Sequence, residues 1–157
     1  MVVDFTKAEN LPKGAERFFK TFSLFEFALK ESGYLPEQGK AFADWHAFAR
    51  DLGSAFFANV QDSGSASTLL LNPPKTQVAV HGSLEFKSTA RPNNTQELLE
   101  AVCRVRNNLF HGGKSGEPDA DSSDPRRNEK LIADAQLVLE LALQHSDAIR
   151  HAFEGRY

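Results

Sequence analysis

Cysteine is nearly absent from this 157-residue chain, and the single Cys103 cannot form an internal disulfide. The chain must therefore fold on its core without covalent staples. No apolar run is long enough to cross a bilayer, and no charged-then-apolar leader opens the sequence, so a cytoplasmic protein without a membrane partner is expected. A basic excess is also missing: 18 Lys and Arg stand against 21 Asp and Glu, which argues against a general nucleic-acid coat. A small local phosphate site is compatible with that balance. Tyrosine and tryptophan are scarce, at two and one, whereas thirteen phenylalanines supply an aromatic core to a chain that is 41% hydrophobic. That content, at this length, fits one domain spanning residues 1–157.

Helical periodicity is the strongest pattern present. Phe18, Phe22, Phe25 and Leu29 recur at steps of four, three and four, which predicts an amphipathic helix that stops at Gly33. Phe19, Leu24 and Phe27 widen its apolar surface, so this helix is expected to pack on two sides. Trp45, Phe48, Leu52 and Phe56 define a second helix, with Gly53 inside it at a cost of about 1 kcal/mol relative to alanine. A third begins at Asn94, which has the capping-box spacing to Glu97, and ends at Gly112 and Gly113. A fourth has Asp124 as N-cap and Pro125 at its first position, carries Leu131, Ala135, Val138, Leu139 and Ala142, and is expected to extend to Gly155. The fold class this implies is all-α, a bundle of four main helices.

Between the second and third helices the period disappears. Residues 62–94 read as an insertion in which "DSGSAS" is a loop and "TQVAVHGSLEFKS" is either a short β-hairpin or an ordered surface loop. Residues 112–124 are polar and rich in turn formers, and read as a flexible loop.

The end of the third helix, "AVCRVRNNLFHGGK", departs from simple amphipathic logic. At about 100° per residue, Leu98, Val102, Val105 and Leu109 form one apolar cluster, and Leu99, Cys103 and Phe110 a second. Arg106 falls between them, where leucine or alanine would be expected. A buried guanidinium needs compensation, so a bound phosphate or a second subunit is expected opposite it. Arg104 lies four residues after Glu100, the spacing of an ordinary intrahelical ion pair. His111 sits where a histidine favours the carbonyl end of the helix dipole. His46, Arg50, His145 and His151 show no metal-ligand pattern, so neither a metal nor another cofactor is expected.

The order "RNNLFH", residues 106–111, resembles the R-N-x-x-x-H signature of the HEPN superfamily. The resemblance implies a compact antiparallel helical bundle that dimerises and acts as a metal-independent endoribonuclease, as a toxin or antiviral defence effector. Arg106, Asn107 and His111 become the catalytic candidates. Arg104, Asn108 and Lys114 are candidates for RNA contact, and Leu99, Cys103 and Phe110 for the homodimer interface. An antitoxin or regulatory partner is implied as well, although Gly113 stands where one large antitoxin-controlled class carries tyrosine. Arg104 also fits a longer R-x6-H spacing, and Arg106 is preferred because Asn107 follows it. The contrasting expectation is a non-catalytic HEPN-like module that binds nucleotides or proteins.

Overall fold

The computed structural model of the protein describes residues 1–110 and 126–156. Its four long helices are α2 (Ala15–Glu31), α3 (Trp45–Ser63), α5 (Thr95–Phe110) and α6 (Arg127–His145). Three short helices accompany them: α1 (Thr6–Glu9), α4 (Ser67–Leu71) and α7 (Asp147–Phe153). Strands β1 (Thr76–Val80) and β2 (Ser83–Lys87) pair antiparallel, from Thr76 opposite Lys87 to Val80 opposite Ser83. One buried cluster unites every helix except α1. No helix among the described residues is long and apolar enough to cross a membrane.

The long helices follow the expected stripes. Phe18, Phe22, Phe25 and Leu29 are buried along α2, and Leu131, Ala135, Val138, Leu139 and Ala142 along α6. The second face of α2 differs from expectation. Leu24 and Phe27 are exposed, because α6, α7 and α5 gather on the other side. At the start of α5 Asn94 caps the helix as expected, whereas Glu97 reaches back one residue beyond the cap, to Asn93. Asn94 Oδ1 accepts from Glu97 N at 2.8 Å, and Glu97 Oε2 accepts from Asn93 N at 2.9 Å.

Gly53 breaks α3 rather than merely weakening it. Its φ of 72° and ψ of −179° form a kink that only glycine adopts comfortably, and the carbonyl this releases accepts from Thr95 Oγ1 at 2.6 Å. The kink thereby ties α3 to the first turn of α5. The fourth helix also ends early, at Ser146, whose extended backbone separates α6 from α7 and whose hydroxyl caps α7. The expected termini at Gly112 and Gly113, the Asp124–Pro125 cap and the 112–124 loop lie mainly or wholly outside the described residues.

The 62–94 insertion is more ordered than a loop. Asp62 and Ser63 continue α3, and α4 follows with Leu69 buried and its amide held by Asp134 Oδ2 of α6 at 2.9 Å. The hairpin turns through His81 and Gly82, both with positive φ. Its strands bury little, and Leu84 is exposed. What holds the excursion is a set of hydrogen bonds to the carbonyls of residues 71–75. Arg91 donates to Leu71 O, Arg127 to Asn72 O and Pro73 O, Arg104 to Pro74 O, and Asn108 to Lys75 O. Pro73 and Pro74 are buried, so their carbonyls need such partners.

Candidate functional site

The last two turns of α5 carry the signature as far as Phe110. Arg106 is partly buried, and its guanidinium carbon lies 5.5 Å from the Phe22 ring centroid and 4.7 Å from that of Phe110. Its Nη1 donates to Asn107 Oδ1 at 3.0 Å. Two aromatic faces and an amide oxygen thus supply compensation within the chain, so Arg106 does not require a second subunit or an anion for its stability. Phe110 also meets Phe19 edge-on, at 6.4 Å between centroids. The guanidinium is thereby held close to the signature's end by rings from α2 and α5.

Arg104 and Asn108, expected as RNA contacts, serve the fold. Arg104 Nη1 donates to Pro74 O at 3.4 Å and Thr89 Oγ1 at 3.3 Å, and burial lowers its pKa against the opposing charge of Glu100. Its expected close pairing with Glu100 is replaced by this reach to the insertion. Asn108 is buried and donates to Lys75 O at 2.8 Å, so its amide is spent on anchoring the hairpin. His111 and Lys114 lie outside the described residues.

The three interface candidates separate. Leu99 is 1% exposed and belongs to the chain's own core, which removes it from any surface contact. Its cluster widens the arc because α5 packs against α2, α3, α4 and α6. Cys103 is partly buried against that core. Burial, with Glu26 next and Glu100 adding, pushes its thiol up to about 12 despite Arg106 and Arg104, so it is no nucleophile near neutrality. Phe110 is 64% exposed, alongside its contacts with Phe19 and Arg106.

A groove of about 320 Å³ opens beside Asn107. Trp45 and His46 of α3 form one wall, and Gln96, Glu100, Arg104 and Asn107 of α5 the other. Asp44 caps α3 by accepting from Ala47 N at 3.0 Å, and the Trp45 indole stacks on Phe25 and Phe22, each 5.3 Å away. These contacts fix the first turn of α3, placing His46 Nε2 3.1 Å from Glu100 Oε1. The His46–Glu100 pair carries no sequence signal, since the two residues lie on different helices and each reads as ordinary helix surface. Comparison with protein-family models, curated proteins and solved structures finds no match for this chain, and the family resemblance rests on residues 106–111.

Proposed function

We propose that the protein is a metal-independent endoribonuclease of HEPN type, built on a HEPN-like bundle and acting as a homodimer in toxin or antiviral defence. The observation that carries this reading is Arg106 itself. Its charge is oriented by Phe22, Phe110 and Asn107 at the end of α5, five residues before a histidine. A fixed guanidinium suits the charge that develops on a phosphate under attack.

In the proposed reaction the substrate's 2′-hydroxyl attacks the adjacent phosphorus. The proton leaves O2′ for one imidazole, the bond to O5′ breaks, and a second imidazole returns a proton to that oxygen. The products are a 2′,3′-cyclic phosphate and a 5′-hydroxyl. His111 suits both proton transfers because an ordinary imidazole titrates near pH 6.5. A two-fold dimer would supply two copies of His111 and two of Arg106 to one scissile bond.

The test is purified protein in excess chelator with a single-stranded RNA and the same sequence as DNA. RNA should be cut and DNA spared, with His111→Ala and Arg106→Ala inactive yet helical. Intact RNA under all conditions would favour the non-catalytic binding module. One observation favours that second reading: Arg106 is stabilised within its own chain and needs no substrate for compensation.

A further inference from the structure

We infer that the groove between the first turn of α3 and α5 is a base-recognition subsite for the nucleotide beside the scissile phosphate, and that it favours bases bearing an exocyclic amino group over uracil. The position beside the scissile bond rests on the ribonuclease reading, whereas the base chemistry stands on the groove's own residues. A volume of about 320 Å³ suits a small ring system, and the groove is open to solvent. Its polar pair is accessible, the side chains of His46 and Glu100 being 57% and 39% exposed.

Glu100 gives the groove its selectivity. Its Oε1 meets both His46 Nε2 and Gln96 Nε2, each at 3.1 Å, and a carboxylate has two oxygens with which to accept. An amino group such as N4 of cytosine can donate to that carboxylate, while O4 of uracil presents an acceptor to an acceptor. The exposed imidazole of His46 supplies a flat face on which a base can stack. Asn107 joins the groove to the phosphate clamp: it lines the groove while its Oδ1 accepts from Arg106 Nη1. A nucleotide seated with its phosphate toward Asn107 would bring that phosphate next to Arg106.

Cytidine and uridine 5′-monophosphates, which differ at this edge by an amino group for a carbonyl oxygen, are the probes. In NMR titrations of the full chain, the cytidine nucleotide should shift the Trp45 indole and Gln96 amide signals saturably. It should bind about five- to tenfold more tightly than the uridine nucleotide, the effect of one good hydrogen bond. Glu100→Gln, close to isosteric and at a partly exposed position, should bring that ratio near one while leaving signals remote from the groove in place. Retained preference in a protein that cuts no RNA would keep the subsite and overturn only the ribonuclease reading. Equal binding of the two nucleotides by the wild-type protein, no shift at Trp45, or an unchanged ratio in Glu100→Gln would overturn the subsite even if RNA is cut.

Discussion

Two polar side chains on one helical turn, Arg106 and Asn108, do different work. Arg106 stays at the surface between aromatic faces, whereas Asn108 turns inward to the carbonyl of Lys75. Replacing Asn108 by alanine leaves that carbonyl without its amide donor, at a cost of about 1–3 kcal/mol. Chemical denaturation should record the loss, and unfolding at the wild-type denaturant midpoint would contradict the assigned anchoring role. The sequence shows the order R-N-N but not this division. Which asparagine faces inward depends on where residues 71–75 cross α5, and that crossing is set by contacts far along the chain. Arg104 was obscured in the same way, because spacing favours Glu100 as its partner while its partly buried nitrogen reaches Pro74 and Thr89.

Among the elements, the α3 kink makes the sharpest claim. A Cβ at Gly53 would meet nothing within 4 Å, so any penalty for Gly53→Ala must come from the backbone at φ of 72°. The expected loss is about 1–3 kcal/mol in thermal or chemical denaturation. A neutral or stabilising effect would show that α3 runs straight through this position. Helix α4 gives a pH-dependent counterpart. Burial raises the Asp134 carboxyl above the ordinary 3.8, opposed by the amides of Leu69 and Thr68 and by Lys130. The folded chain then holds this proton to higher pH than the unfolded chain, so Asp134's contribution is complete below 3.8 and is lost as pH rises through its folded value. Asp134→Asn keeps an acceptor for Leu69 N without the charge, and its stability relative to wild type should improve between about pH 4 and pH 7. A constant difference across that range would contradict the raised value. The long helices were legible because each repeats its apolar positions over several turns. The hairpin was half legible, since alternation over five residues that bury little fits a loop equally well. Helix α4 was not legible: five residues hold no period, and the carboxylate at its start comes from Asp134 of another helix. The signature at residues 106–111 could be read directly, while the groove beside it depends on His46 and Glu100 meeting across two helices.

For the whole molecule, the proposed dimer must use surface that the core leaves exposed. Phe110 qualifies at 64% exposure and Leu99 does not at 1%. Phe110→Asp should therefore yield a helical monomer by light scattering and circular dichroism that cuts no RNA, whereas Leu99→Asp should unfold the chain. A fully dimeric and active Phe110→Asp protein would place the interface elsewhere. The proposed cleavage proceeds by attack of the substrate's own 2′-hydroxyl, with Arg106 and His111 as the groups responsible. End-group analysis of RNA treated with wild-type protein in excess chelator addresses it most directly, using a substrate whose preferred cleavage site is also prepared with a single 2′-deoxy substitution. The expected result is 2′,3′-cyclic phosphate ends at the native site, none from His111→Ala or Arg106→Ala, and no cut at the substituted position. Cleavage at the 2′-deoxy position, or activity retained by His111→Ala, would contradict it.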